Sequence, residues 1–371
     1  MIDRRLVSSF DWWFFLVLVA ILSTGVLSIY SVTYGQVGRQ TPIYLKQIIW
    51  IGIGFVAFAA TAFFDYHRLV RYSTLLYLGN LAALVLVLAI GRSAMGARRW
   101  LNLGPVDFQP SEWVKLVLIL TLTHYFATRP RRQGVGIHEL IVPGLLLVVP
   151  LVLVLKQPDL GTALTLVFVF GVIVFLVGLR SKAVGISTLV AVMAFPFLWE
   201  IFWHSLKSYQ KNRLIAFINP ALDPMGRGYH SLQSRIAIGS GGFFGKGLFG
   251  GTQSQLKFLP EGHTDFIFAV FAEEWGFVGV FVLMLLYLLL IGWGIDVAWK
   301  AKDATGMLIG CGVVALLVFY LTVNIGMTLG LVPVVGVPLP LMSYGGNSIV
   351  TTMAGIGLLL NIKMRRFMLF Y

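Results

Sequence analysis

Charge is scarce in this chain, and acidic charge scarcest: 15 Asp and Glu stand against 28 Lys and Arg, and charged residues make up 12% of 371 while hydrophobic ones make up 58%. A water-soluble globule of this length needs far more polar side chains to coat its surface, so the composition indicates an integral membrane protein. Cysteine is nearly missing. The single Cys311 falls in an apolar run, which excludes an intrachain disulfide and leaves the redox compartment unreported. Internal repeats, low-complexity tracts and a separable soluble domain are also lacking, so residues 1–371 read as one membrane domain. The net charge of +13 comes with no nucleic-acid-binding motif, so no nucleic-acid partner is expected.

What is present is a series of ten apolar runs, each long enough to cross roughly 30 Å of hydrocarbon as a helix. They lie near 12–34, 44–64, 72–91, 111–127, 140–156, 160–179, 184–203, 265–294, 305–331 and 347–362, which predicts an all-α polytopic fold. The first run follows Arg4 and Arg5 but is too long for a signal peptide and has no small-residue cleavage site, so it reads as a retained anchor. With the N-terminus inside, Arg68, Arg71, Arg129, Arg131, Arg132, Arg180, Lys182, Lys300, Lys302, Lys363, Arg365 and Arg366 join Arg4 and Arg5 on the cytoplasmic side. These outnumber the basic residues of the short outer segments, which predicts both termini inside and one long outer loop, 204–264, between the seventh and eighth spans. The outer face is nonetheless basic. Arg92, Arg98, Arg99, Lys115 and Lys156 cluster at the outer ends of spans three to six, and Lys207, Lys211, Arg213, Arg227, Arg235, Lys246 and Lys257 lie in the long loop. Such a face suits lipid phosphates or an anionic substrate carrying diphosphate.

Glu112, Asp159, Asp265, Glu273 and Glu274 fall at or just inside the outer ends of spans, where a carboxylate is a functional candidate by default and a structural ion pair is the competing reading. In QPSEWVK, 109–115, Ser111 is placed to cap a helix, and Glu112 and Lys115 lie three apart on one face, able to neutralise each other. KQPDLGT, 156–162, sets Lys156 and Asp159 around Pro158, with Gly161 allowing close approach. In LPEGHTDFIFAVFAEEWG, 260–277, Thr264 is the expected N-cap, Asp265 falls in the first turn and Gly276 is the expected break. At 100° per residue Glu273 lies about 80° and Glu274 about 180° round from Asp265, so Glu273 can join a shared cavity while Glu274 pairs elsewhere.

Glycine and proline mark two further segments. GSGGFFGKGLFGG, 239–251, reads as a mobile, backbone-exposed surface and lacks the pattern of a phosphate-binding loop. LVPVVGVPLPLMSYGGNS, 331–348, reads as a broken or re-entrant connection, which at membrane depth needs protein or a wet cavity around it.

Six blocks, GARRWLNLG, FQPSEWVK, KQPDLGT, GRGYHSLQSRIAIGSGG, GTQSQLKFLPEGHTDFIFAVFAEEWG and VPVVGVPLPLMSYGGNS, together resemble in order and spacing the signature blocks of the SEDS family of bacterial cell-wall polymerases, and its elongation branch more than its division branch. The resemblance covers essentially the whole chain. It implies ten transmembrane helices in the bacterial cytoplasmic membrane and polymerisation of lipid II on the outward face. It also implies a class B penicillin-binding protein as crosslinking partner within the elongation machinery. The family's essential aspartate falls on Asp265, the Glu and Lys of its QPSE block on Glu112 and Lys115, and its acidic residue in KQPD on Asp159.

The chemistry so implied gives Asp265 the role of general base for the acceptor hydroxyl. Undecaprenyl diphosphate leaves as a stable anion, so a cationic clamp matters more than a protonating acid, and Lys115, Arg98, Arg99 and Arg213 are its candidates. One base opposite the leaving group predicts inversion to a β-1,4 glycan. A divalent cation, Mg²⁺ or Mn²⁺, is compatible with carboxylates facing a diphosphate, although no ligand set is legible. A lipid II flippase and a non-catalytic scaffold are the rival classes; a flippase needs access to its charges from both sides, whereas these gather at one face.

Overall fold

The computed structural model describes residues 10–34, 42–94, 97–102, 104, 107–128, 134–180, 200, 204, 211, 227–256, 258–259 and 262–366. Nine long helices match nine of the expected spans: α1 Trp12–Thr33, α2 Ile43–Phe63, α4 Ser73–Ile90, α5 Pro110–Ala127, α6 Ile137–Lys156, α7 Leu160–Val177, α10 Ile267–Trp299, α11 Ala304–Thr328 and α12 Gly346–Arg365. Seven of these are long and apolar enough to cross a membrane, so the chain is a multi-pass membrane protein. The expected span at 184–203 lies almost wholly outside the described residues, as does Arg213. Short helices α3 Tyr66–Arg71 and α9 Thr252–Gln255 fill connections.

Two expectations need correction. The fold is not purely helical: β1 Arg92–Ala94, β2 Ala97–Asn102 and β3 Asp107–Phe108 form an antiparallel sheet between α4 and α5, pairing Ser93 with Arg98 and Leu101 with Phe108. Strands this short carry too few alternations to be read from sequence. Within the segment read as a long loop, α8 Arg227–Ser240 is a helix that packs on α10 and α11, its buried Ser234 hydroxyl donating to Thr328 O at 2.8 Å.

Without water in the hydrocarbon, the bundle must satisfy its polar groups internally. Scarce acids serve this end. Asp11, Asp65, Asp159 and Asp303 each cap a helix, accepting from Phe14, His67, Thr162 and Gly306 N–H groups. At the end opposite Asp265, Asp11 also takes Trp293 Nε1 at 2.7 Å and the Lys363 ammonium, tying α1, α10 and α12 together. Burial pushes the Asp65 carboxyl up, but the His67 N–H and the Arg365 guanidinium outweigh it and hold it below the usual carboxylate range.

Helices α5 and α11 form the centre. Fifteen of the 18 residues of α5 are buried, whereas α2, α4 and α6 present Leu, Val and Ile outward to lipid. Glycines let the helices close: Gly312 of α11 meets Ile119 of α5, Gly355 of α12 meets Leu116, and Gly54 of α2 meets Met353 of α12.

Helix α10 breaks at Gly276, as expected, with φ 63° and ψ −163°. The glycine-rich segment is largely exposed, as expected, but its backbone is the splint for that break. Lys246 and Gly247 N–H groups donate to Glu273 and Glu274 carbonyls at 3.0 and 2.9 Å, and Phe277 and Val278 N–H groups donate back to Gly242 and Phe243 at 2.9 and 3.1 Å. A Cβ on Gly276 would lie 2.2 Å from Gly245 N, and one on Gly245 would lie 2.1 Å from Glu274 O. Its glycines serve backbone approach. Gly276→Ala is therefore expected to cost on the order of 2 kcal/mol or more, lowering the unfolding midpoint in detergent by several degrees; an unchanged midpoint would contradict this packing.

Candidate active site

Helix α5 begins with Pro110 in its first turn, after Gln109, and no side chain caps it; Ser111, expected as the cap, instead donates to Asp159 Oδ2 at 3.4 Å. One turn in, Lys115 Nζ lies 2.7 Å from Glu112 Oε2, with side chains 3% and 9% exposed. Lys115 also donates to the Tyr320 hydroxyl of α11 and lies 4.7 Å from that ring's centre. Thr351 of α12 donates to the same Glu112 oxygen at 3.4 Å. Three helices thus meet at one buried ion pair. It borders a small cleft of about 20 Å³, polar at this end and lined beyond it by Leu116, Val313, Leu316 and Leu317.

Asp159 stands beside this group as the N-cap of α7. Its oxygens accept from Thr162 N–H at 3.3 Å and Thr162 Oγ1 at 3.0 Å, and Arg99 Nη1 is 3.9 Å away. Arg99 reaches across from β2 and donates from Nε to Gln157 O at 3.2 Å and from Nη2 to Pro158 O, fixing the turn before α7. Arg98 is exposed on the same strand.

Asp265 sits in a turn, residues 262–266, and precedes the helix; α10 starts at Ile267 after Phe266, with no side-chain cap. The expected Thr264 cap is absent because the helix starts three residues later, and Thr264 serves through its backbone instead. Its carbonyl accepts from Ser343 Oγ at 2.6 Å, while His263 O accepts from Tyr344 N–H at 2.8 Å and Asp265 O from Asn324 Nδ2 at 3.0 Å. Three consecutive carbonyls of this turn are pinned from outside it. The pins come from α11 and the proline-rich segment 331–345, which is the broken connection the sequence suggests. Asn324 Nδ2 also donates to Val337 O at 2.7 Å, and Ser343 Oγ accepts from Leu339 N–H at 2.8 Å.

The same segment joins Asp265 to the Asp159 side. A Cβ on Gly336, where φ is +76°, would lie 3.4 Å from Asp265 Oδ2, and one on Gly161 would lie 2.9 Å from Val337. Asp265 itself is half-buried.

Glu273 is placed elsewhere. Fully buried, it accepts from Lys246 Nζ at 2.8 Å, Thr252 Oγ1 at 3.0 Å and Gln253 N–H at 3.1 Å, which makes it the anchor of the glycine-rich splint. Glu274, on the other side, accepts from Ser31 of α1. Tyr320, Asn324, Ser343 and Thr351 escape a reading that inventories charges. The signal for Asn324 was nevertheless available: an amide inside VFYLTVNIGM, deep in an apolar run, needs an internal partner. Among the described residues no three His, Cys, Asp or Glu side chains gather into a metal site. Glu112 is neutralised by Lys115 and Asp159 is taken by its cap, so these residues do not fit a protein-built divalent site.

The family model described as cell cycle protein, FtsW/RodA/SpoVE, matches residues 11–367. The chain belongs to this family. The peptidoglycan glycosyltransferase MrdB of Escherichia coli K12 is 40% identical over 357 residues, covering 95% of this chain and 93% of that protein. A chain from a structure of a peptidoglycan synthase complex, on the coordination of polymerization and crosslinking, superposes with TM-score 0.81 at 34% identity, covering 96% of this chain and 98% of its own. The rod shape determining protein RodA of Thermus thermophilus superposes with TM-score 0.70 at 32% identity, covering 97% and 98%.

The buried pair in this family member has a measurable signature. Lys115→Met, leaving a lone buried carboxylate, is expected to destabilise by about 3–5 kcal/mol, and the double variant Glu112→Leu, Lys115→Met to recover most of that loss. Unfolding midpoints of the singles and the double test it; strictly additive losses would contradict mutual neutralisation.

Proposed function

We propose that this chain is a peptidoglycan glycosyltransferase that polymerises lipid II into β-1,4 glycan strands during cell elongation. The observation that carries this reading is 40% identity over 95% of the chain to a peptidoglycan glycosyltransferase, together with a pinned turn that presents Asp265 at the same end of the bundle as the Glu112–Lys115 pair. The protein works as one unit of about ten spans in the bacterial cytoplasmic membrane, with both termini inside and the site facing outward. The polyprenyl tail of lipid II remains in hydrocarbon while its headgroup reaches the polar end of the bundle.

In the reaction the acceptor 4-hydroxyl gives its proton to Asp265 as its oxygen attacks the donor's anomeric carbon. The bond from that carbon to the diphosphate breaks, and undecaprenyl diphosphate departs with both electrons. Attack opposite the leaving group converts the α-linked donor into a β-linked product. Lys115, held by Glu112 and Tyr320, supplies fixed positive charge toward the departing diphosphate, with Arg98 and Arg99 contributing from β2 and Arg213 as a further candidate cation. Asp159 orients Arg99 and the entrance to α7, and Glu273 holds the wall behind the turn. No step runs through a metal ion. A class B penicillin-binding protein crosslinks the product, as befits similarity to a chain of a peptidoglycan synthase complex.

Purified protein given labelled lipid II is expected to make glycan chains, and Asp265→Asn to slow this on the order of 10²-fold or more. Polymer made at the wild-type rate by the variant would remove Asp265 from the base role. Lipid II crossing vesicle membranes with no polymer formed would favour a flippase.

A further inference from the structure

The general-base reading leaves open what fixes the proton acceptor relative to the cationic clamp. Tyr320 and Asn324 lie four residues apart on α11, so they project from one face, about 6 Å apart along the axis. Each holds a different part of the site. Tyr320, 7% exposed, takes the Lys115 ammonium. Asn324, with no exposure, divides its amide nitrogen between Asp265 O at 3.0 Å and Val337 O at 2.7 Å. Both targets are carbonyls, so the amide must face them with its nitrogen, and its oxygen is left buried without a hydrogen-bond partner. An orphaned buried oxygen is unfavourable by about 1–3 kcal/mol. A leucine would remove that orphaned oxygen but leave the Asp265 and Val337 carbonyls without their donor, so what the amide contributes lies in what its nitrogen holds.

Helix α11 is also suited to act as a rigid member. It is the most enclosed of the seven long apolar helices, with 72% of its window buried, and Gly312 seats it directly against Ile119 of α5, the helix that carries Lys115.

We infer that Tyr320 and Asn324 are positioning residues that make α11 a rail, fixing the separation between the Asp265 carboxylate and the Lys115 ammonium. Neither contacts the reacting atoms. This inference rests on the reading of Asp265 as the base.

The test is steady-state polymerisation of labelled lipid II by full-length variants, assayed well below their measured unfolding midpoints. Asn324→Ala and Tyr320→Phe are each expected to lower kcat about tenfold or more, since misplacement of a reacting group by about 1 Å is that damaging, while KM changes less than about threefold. Asn324→Gln separates positioning from mere satisfaction of carbonyls: it keeps the amide but displaces it by one methylene, and kcat is expected to stay low. Thr322→Ala is the control, because Thr322 is exposed on the same helix and bonds only its own turn, Val318 O at 2.7 Å; wild-type kinetics are expected. Wild-type kcat in Asn324→Ala, Tyr320→Phe or Asn324→Gln overturns the rail, and so does an equal loss in Thr322→Ala. Asp265→Asn, measured alongside, keeps the two readings apart: if it is active the base assignment fails, and if it is inert while the α11 variants are normal only the rail fails.

Discussion

A polar group enclosed in a membrane bundle has no water to fall back on, and nearly every feature of this molecule follows from that constraint. The 15 acidic residues are too few to spend at random. Four cap helices, one pairs with Lys115, one anchors the splint behind the α10 kink, and Asp265 stands on a turn whose carbonyls are held from outside. That last arrangement governs the rest. A half-buried carboxylate is useful to chemistry only if its backbone cannot drift, and the clamps on 263, 264 and 265 come from elements remote in sequence, so the turn is rigid only when the whole bundle is assembled.

This couples stability to reactivity. The proline-rich segment 331–345 can leave helical geometry at depth because Ser343, Asn324 and the His263–Asp265 turn absorb its polar backbone, and in return it carries Gly336 against Asp265 and Val337 against Gly161. Gln47 of α2 reaches the same segment at Ser343 O, 3.1 Å away. The glycine-rich loop performs a similar service on the far side, where direct backbone pairing across Gly245 and Gly276 braces the helix that follows Asp265.

Much of the bundle was legible because hydrocarbon imposes one simple rule on length and polarity: nine of the ten expected spans have helices at their positions, and the break at Gly276 was read from a single glycine. The seventh span, 184–203, lies almost wholly outside the described residues, as does Arg213. Glu112 with Lys115 was legible from i, i+3 spacing alone. Ser111 was misread as a cap because its hydroxyl meets the distant Asp159 carboxylate, and Thr264 because the helix starts only at Ile267; tertiary structure alone reveals either fact. The splint was read as an exposed surface, which it is, but its backbone pairing was missed, since glycine permits both mobility and close packing. Tyr320 and Asn324 were missed because attention to charge passes over neutral polar groups, although in hydrocarbon an amide also demands a partner.

The most direct test of the central claim, that one end of this bundle holds a proton acceptor and a cationic clamp around a shared lipid headgroup, is an experimental structure of the full chain with an uncleavable lipid II analogue. The sugar hydroxyl that attacks should lie within hydrogen-bond distance of the Asp265 carboxylate, with the diphosphate on the side of Lys115. A headgroup bound on another face, with Asp265 still enclosed by its turn, would contradict it.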